Sequence, residues 1–190
     1  MATVEQAIDY ARQVTANNVV AGKHVRAACQ RFLVDLEMGD SWDYYFSEKE
    51  AQSILDFYGT FIRHVKGELR GQIIELMPWQ AFILVNLFGW LRKADDMRRF
   101  RTGYVEVARK NAKSTLSSGI ALYLAGFDGE GGAEVYSAAT KKDQARIVFE
   151  VIAAIGQAEL VELVVVDGVL TGVLGILADE GGERLAHPDA

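Results

Sequence analysis

The sequence predicts an α/β fold in which a helical N-terminal region precedes a partial parallel sheet flanked by helices. Over the first 65 residues, apolar residues recur at helical spacing behind capping residues. Beyond residue 100, short β-prone runs alternate with helical patterns, which is typical of parallel α/β sheets. The 190 residues are 50% hydrophobic and 24% charged, so disorder throughout the chain is excluded.

Three helices are predicted in the N-terminal region, residues 1–66. Thr3 and Gln6 form a capping box for the first helix, which should end near residue 17. The second helix spans residues 22–38, where apolar side chains follow one stripe. Ser47 caps the third helix, which runs from residue 48 to about residue 65 with acidic residues in its first turn.

The predicted core, residues 67–150, begins with an apolar segment in which Pro78 can occupy the first turn of a buried helix. The pattern then predicts two strands and two helices. In chain order these are a strand at 104–107, a loop at 108–111, a helix at 113–125, a strand at 133–138 and a helix from about residue 141. Two further apolar runs, 163–166 and 173–177, are compatible with strands.

The cysteine content indicates the cellular compartment, and the charge distribution distinguishes residues 151–190 from the rest of the chain. Cys29 is the single cysteine, which excludes an internal disulfide or a thiolate zinc site and favours a reducing compartment. The first residues lack the basic start of a signal peptide, and we expect a cytoplasmic, non-secreted protein without a membrane span. Residues 151–190 hold one basic and seven acidic residues, which accounts for the whole net charge of −6.

The segment 107–115 has the outline of a phosphate-binding loop between a strand and a helix. In such a loop Lys113 would neutralise β- and γ-phosphate oxygens and the Ser114 hydroxyl would bind Mg²⁺. The strict pattern needs glycine at 107 and 112, where this chain has Val and Ala. The alternative is a solvated helix start. Residues 92–113 include eight basic and three acidic residues. This excess of positive charge is typical of polyphosphate or DNA binding, and the alternative is a solvated surface loop.

Six segments together resemble the ATPase domain of the large terminase subunit of tailed bacteriophages. They are Gly67-Glu68-Leu69, Leu76-Met77-Pro78-Trp79-Gln80, Leu87-Phe88-Gly89-Trp90, Arg98-Arg99-Phe100-Arg101, residues 107–114 and residues 134–145. The resemblance covers about residues 45–150. It implies a P-loop NTPase core that uses ATP and Mg²⁺ to drive double-stranded DNA into a procapsid. It also implies a phage or prophage origin, action in the bacterial host cytoplasm, a homo-oligomeric ring, and the small terminase subunit and the portal protein as partners.

The resemblance assigns nucleotide contacts to eight positions, namely Gln80, Arg109, Lys110, Asn111, Ala112, Lys113, Ser114 and Thr115. Gln80 would recognise adenine, Arg109 would sense the γ-phosphate, and Thr140 would couple the ATP site to DNA. Surface roles are the alternatives for all three. The family has glycine where Ala112 stands. If the backbone there needs a positive φ, the methyl group costs about 1–2 kcal/mol, and nucleotide binding should be weakened.

The acidic residues that such an ATPase needs are hard to place in the tail. Asp179 could hold Mg²⁺ through water and Glu180 could polarise the attacking water, or the two could belong to a solvated loop. The run 164–167 also ends in an Asp, but Gly168 follows it. Because residues 151–190 do not continue the family pattern, we hypothesise a frame shift near residue 150. We expect no nuclease activity.

The sequence is also compatible with two other hypotheses. The chain could be a non-catalytic terminase remnant that binds only DNA or partner subunits, through its helical N-terminus and its basic residues. It could also be an unrelated α/β protein with a chance loop, which the length of the resemblance argues against. Nucleotide binding that is lost in Lys113→Ala would favour the ATP-binding hypothesis over the remnant hypothesis.

Overall fold

A computed structural model describes residues 1–64, 67–108, 110–129, 135–137, 161–166 and 169–174. Its helices are α1 (Val4–Thr15), α2 (Lys23–Leu36), α3 (Glu48–Phe61), α4 (Pro78–Phe88) and α5 (Lys113–Gly126). Its strands are β1 (Tyr44–Phe46), β2 (Trp90–Arg92), β3 (Val135–Ser137), β4 (Val161–Val166) and β5 (Val169–Leu174). The predicted helix from about residue 141 lies outside the described residues.

The three predicted N-terminal helices are confirmed, with shorter ends. The Thr3 hydroxyl accepts a hydrogen bond from the Gln6 N–H at 3.2 Å, and the Gln6 side chain accepts one from the Thr3 N–H at 3.1 Å. The Ser47 hydroxyl caps α3 in the same way, through the Glu50 N–H. Helix α3 ends at residue 61 rather than near 65, because Ile62 is extended and the next residue, Arg63, forms a β-bridge with Ile73.

Helix α4 is confirmed as a buried helix that begins at Pro78. It packs against α1 and α3, and its apolar residues face neighbours on nearly every side. A single hydrophobic core contains residues from α1 to α4 and two from α5, Leu116 and Tyr123. This core crosses the predicted boundary after residue 66; the division at 66 and 150 stays a prediction.

A short antiparallel pair, β1 with β2, was not predicted by the sequence pattern. Phe46 lies opposite Trp90 and Tyr44 lies opposite Arg92. The pair joins the residue stretch before α3 to the one after α4, and the Ser47 N–H adds a 2.7 Å hydrogen bond to the Gly89 carbonyl oxygen. Each strand has three residues, too few for an alternating pattern to stand out.

The predicted strand at 104–107 is wrong, because residues 102–108 form no ladder in the structure. Tyr104 is 86% exposed, and its hydroxyl donates to the nearby Glu106 carboxylate at 3.1 Å. A strand needs a second strand to satisfy its backbone groups, and the other described strands pair among themselves. The helix predicted at 113–125 is confirmed as α5.

A second, three-stranded sheet is antiparallel in the order β3-β5-β4. The described residues thus mix helices with small antiparallel sheets, which is compatible with the α/β class, but the predicted parallel sheet is not shown. Strand β3 falls within the predicted 133–138. Strand β4 contains the predicted 163–166, whereas β5 begins four residues before the predicted 173 and ends at Leu174. Only Asp167 and Gly168 separate β4 from β5, and so short a link allows only an antiparallel hairpin.

Candidate functional site

The backbone before α5 adopts two left-handed conformations at residues other than glycine. Lys110 has φ of +69°, and Ala112, the N-cap residue of α5, has φ of +51° and ψ of +22°. Side chains with a Cβ avoid this region because it crowds the following carbonyl oxygen. The positive φ on which the sequence argument about Ala112 depended is therefore present.

The N-terminus of α5 keeps its backbone donors open to an anion. The N-cap residue Ala112 has no side-chain oxygen and makes no capping hydrogen bond, in contrast to Ser47 at α3. The first N–H groups of a helix have no acceptor within the helix, and together with the helix dipole they attract negative charge. The turn before the helix is held by the Asn111 side-chain amide, which donates to the Ala108 carbonyl oxygen at 3.2 Å.

Lys113 and Ser114 begin α5, so the structure brings both residues to one end of the helix. The Lys113 ammonium donates to the Val107 carbonyl oxygen at 3.4 Å, which folds this cation back across the loop. Ser114 and Thr115 are half-buried, and the Ser118 hydroxyl donates to the Ser114 carbonyl oxygen at 2.7 Å. A cation and a hydroxyl side by side at an uncapped helix start can bind a phosphate group and a hydrated metal ion.

Helix α5 is fixed to α3 by two tyrosine hydroxyls. Tyr58 of α3 donates to the Leu116 carbonyl oxygen in the first turns of α5, and Tyr123 near the other end of α5 donates to the Ser53 hydroxyl at 3.3 Å. Burial raises the pKa of Tyr58 well above its ordinary value, although the nearby Ile120 backbone N–H opposes this rise. Burial likewise raises the pKa of Tyr123. Both hydroxyls therefore stay protonated donors at neutral pH.

Gln80 lies in the first turn of α4, where its side chain has a structural partner. Its Oε1 accepts a hydrogen bond from the Met77 N–H at 2.9 Å, and the residue is 5% exposed. Within the described residues no hydrogen bond joins Gln80 to residues 110–115. The described hydrogen bonds therefore do not connect Gln80 with the loop.

Most of the basic residues between 92 and 101 are neutralised by acidic partners. Arg92 pairs with Asp95, Arg98 pairs through both carboxylate oxygens with Asp128, and Arg99 pairs with Asp35 at 2.7 Å. Pairing with Arg92 also lowers the pKa of Asp95. The ion pairs seen among the described residues do not include Arg101, Lys110 or Lys113. Lys93 also lies outside these ion pairs, and its ammonium donates to the Asp40 carbonyl oxygen at 2.8 Å. Within this part of the described chain, cations without an acidic partner therefore lie both in the segment 92–101 and at the loop.

Arg99 is also enclosed by aromatic rings. Its guanidinium carbon lies 4.5 Å from the centre of the Trp42 ring, 5.1 Å from Tyr44, 5.7 Å from Trp90 and 4.8 Å from Phe100. Because the side chain is only 18% exposed, its positive charge interacts with Asp35 and these rings rather than with solvent. This enclosure links β1 and β2 to the segment that leads toward the loop.

An open groove of about 920 Å³ lies along the C-terminal half of α5 rather than at the loop. Its walls carry apolar residues together with three cations and three anions. The charged residues are Lys49, Glu50, Asp96, Arg98, Arg101 and Asp128. The groove is electrically balanced, and the loop residues 110–115 do not line it. It therefore adds nothing to the nucleotide site predicted from the sequence.

Four predicted site residues lie outside the described residues, namely Arg109, Thr140, Asp179 and Glu180. Across the described ranges, no group of three or more His, Cys, Asp and Glu side chains could hold a metal ion. Of the two predicted Mg²⁺ ligands, Ser114 is thus the one whose position is known. No helix in the described part of the chain is long and apolar enough to cross a membrane.

The model of the family "Terminase large subunit, ATPase domain" matches residues 78–171. Over these residues the chain belongs to the terminase large subunit ATPase family. No curated protein and no solved structure matches the chain. The matched segment begins at the start of α4 and includes the whole loop. It ends 21 residues beyond residue 150, where the frame shift is hypothesised, and that shift stays a prediction.

Tyr58 and Gly119, which bring α3 against α5, were not predicted from the sequence. Gly119 lies inside α5, and an isolated glycine inside a helix often has a packing reason. Tyr58 carries no comparable signal, because a tyrosine on the apolar stripe of a helix is ordinary core sequence. An Asp-Gly pair between two apolar runs, as at 167–168, is a sequence signal for a hairpin, and the antiparallel pairing of β4 with β5 agrees with it.

Proposed function

We propose that this terminase-family chain is the ATP-binding part of a viral DNA-packaging motor that couples ATP hydrolysis to movement of double-stranded DNA into a procapsid. The observation that carries the proposal is the family match over residues 78–171, which encloses the uncapped, positively charged start of α5. The proposal does not include a nuclease activity.

Residues of the loop would divide the nucleotide contacts between them. The backbone N–H groups at the start of α5 would surround the β-phosphate, and Lys113 would neutralise the β- and γ-phosphate oxygens. The Ser114 hydroxyl would bind Mg²⁺, which would stabilise the charge that develops on the transferred phosphoryl group. Lys110, Asn111, Ala112 and Thr115 complete the proposed loop. The open helix start and the adjacent Lys113 and Ser114 support this division.

The remaining roles are carried over from the family resemblance. Gln80 would recognise adenine and Arg109 would contact the γ-phosphate. Asp179 would hold Mg²⁺ through water while Glu180 polarises the attacking water. Thr140 would couple ATP turnover to DNA. Because Oε1 of Gln80 accepts from the Met77 N–H at the start of α4, its side-chain NH₂ would be the group that contacts adenine.

Partners and location follow from the same proposal. The motor would act on double-stranded viral DNA in the cytoplasm of a bacterial host, as a homo-oligomeric ring with the small terminase subunit and the portal protein. The helical region 1–66, the core 67–150 and the tail 151–190 would be its parts. A terminase-like continuation in another frame of the genomic sequence would support the frame shift near residue 150, and its absence would reject it.

The alternative function, a remnant that binds DNA or partner subunits without catalysis, draws less support from the side chains. DNA binding depends on cations that are free to replace counterions along the phosphate backbone. Arg92, Arg98 and Arg99 have acidic partners, and Arg99 is enclosed as well. Within the described part of residues 92–113, Lys93, Arg101, Lys110 and Lys113 lie outside the ion pairs, so fewer cations are left for a DNA backbone than the sequence suggested.

ATP hydrolysis with and without linear double-stranded DNA tests the proposed function. We expect Mg²⁺-dependent hydrolysis that Lys113→Ala abolishes and that Glu180→Gln reduces at least tenfold. Lys49→Ala is the matched control, because its side chain is 90% exposed and far along the chain from the loop. ATP binding without hydrolysis would restrict the function to nucleotide binding. DNA binding without ATP binding would favour the remnant.

A further inference from the structure

Tyr58 reaches from α3 to the backbone of the helix that starts at the phosphate loop. The ring is 1% exposed, and its hydroxyl donates to the carbonyl oxygen of Leu116, a residue 58 positions further along the chain. Leu116 is only three residues after Lys113, and its N–H donates to the Ala112 carbonyl oxygen at 2.9 Å. The contact thus lies one helical turn from the predicted phosphate ligands.

Gly119 makes this approach possible. A Cβ atom at position 119 would lie 2.5 Å from the Tyr58 hydroxyl oxygen and 2.6 Å from its Cε1, closer than carbon atoms approach one another in proteins. The tyrosine ring therefore rests directly on the backbone of α5. A ring against the backbone together with a hydrogen bond to one carbonyl fixes both the rotation of α5 and its position along its axis.

We propose that Tyr58 is a positioning residue for the phosphate loop. By fixing the first turns of α5 against α3, it sets where Lys113 and the open N–H groups stand. The α3 helix, which lies within the predicted N-terminal region, thereby controls the geometry of the nucleotide site. The inference rests on the proposed function, since it assigns a role within the same site.

Tyr123 provides a matched control within the same pair of helices. It is also buried, at 3% exposed, and it also donates a hydroxyl hydrogen bond to α3, at Ser53. Its contact lies ten residues after Lys113, near the C-terminal end of α5. Removing either hydroxyl deletes one hydrogen bond between the same helices, but only Tyr58 acts on the first turns.

The experiment compares Tyr58→Phe with Tyr123→Phe by Mg²⁺·ATP calorimetry and by hydrogen exchange of the nucleotide-free protein. We expect Tyr58→Phe to weaken ATP binding about fivefold, the factor that corresponds to one net hydrogen bond, and to speed amide exchange at residues 113–117. We expect Tyr123→Phe to leave both unchanged at an equal loss of stability. Equal effects of the two variants on affinity and exchange would overturn the inference.

The two arms keep this inference separate from the proposed function. If the unmodified chain binds no ATP, the proposed function fails, and the exchange arm still decides whether Tyr58 positions the start of α5. If the chain binds ATP and Tyr58→Phe binds it equally well with unchanged exchange at 113–117, the inference fails and the proposed function stands. Amide exchange at residues 113–117 that is faster in Tyr58→Phe but not in Tyr123→Phe supports the inference whether or not the chain binds ATP.

Discussion

Replacing Ala112 by glycine should stabilise the protein, although the greater freedom of glycine in the unfolded chain usually lowers stability. Ala112 is exposed, so its methyl group contributes no packing, and its φ of +51° lies in the left-handed region. A residue with a Cβ costs about 1–2 kcal/mol there. Glycine removes that cost but loses about 0.5–1 kcal/mol through the greater freedom of the unfolded chain. The net expectation is a gain of about 0.5–1 kcal/mol.

Urea denaturation of Ala112→Gly beside Ala16→Gly measures this gain. Ala16 is also an exposed alanine at a helix end, the C-cap of α1, but its φ is −74°. Glycine at residue 16 relieves no strain and should destabilise the protein by about 0.5–1 kcal/mol. The two variants should therefore shift the midpoint in opposite directions. A loss of stability in both would refute the argument that the loop stores strain at Ala112.

The same substitution also tests whether the methyl group crowds the phosphate. The terminase family has glycine at this position, and we expect Ala112→Gly to bind Mg²⁺·ATP more tightly than the unmodified chain. Calorimetry of the two proteins side by side measures the change. If stability rises while affinity does not, the strain is real but the methyl group does not limit nucleotide binding.

Two further predictions concern side chains enclosed in the fold. Arg99→Met should destabilise the protein by about 2–3 kcal/mol in urea denaturation, because it removes the nearer cation of the Asp35 carboxylate, which keeps only Arg31 at 3.8 Å, and the contacts of the guanidinium with the aromatic rings. Arg92→Met, whose ion pair is exposed, should have no measurable effect, and equal effects of the two variants would refute the enclosure argument. Burial raises the pKa of Cys29 to about 11, so the native thiol should react with an aromatic disulfide only on unfolding. Because the folded state holds the Cys29 proton more tightly than the unfolded state, the protonated thiol contributes its full stability below pH 9, and this stability is lost as the pH rises toward 11. Urea titrations at pH 8 and pH 10.5 should therefore show a lower free energy of unfolding at pH 10.5. Equal stability at the two pH values would contradict the prediction.

The local signals in the sequence were sufficient for the helices. Thr3 and Ser47 are cap residues with hydrogen bonds that form within three residues of chain, and such contacts depend on nothing distant. Pro78 at the start of α4 is local in the same sense. The end of α3 was misplaced because the bridge between Arg63 and Ile73, which competes with the helix there, lies between segments ten residues apart.

Strand pairing and the contacts that hold the start of α5 in place join residues far apart in the sequence, so local sequence patterns could not predict them. The segment 104–107 has a strand-like pattern, but no described strand lies beside it, and pattern alone cannot supply a partner. The loop was found because its residues are adjacent in sequence. Its attachment through Tyr58 was not found, because that contact joins residues 58 positions apart. Charge density between residues 92 and 101 was also misleading, since the acidic partners Asp35 and Asp128 lie outside that stretch.

Calorimetric titration of the purified chain with Mg²⁺·ATP, beside Lys113→Ala and Lys49→Ala, tests the central claim most directly. The claim is that the uncapped start of α5, with Lys113 folded across the loop, binds phosphate. It predicts saturable binding that Lys113→Ala abolishes and Lys49→Ala preserves. No binding by the folded, unmodified chain, or equal binding by all three proteins, would contradict it.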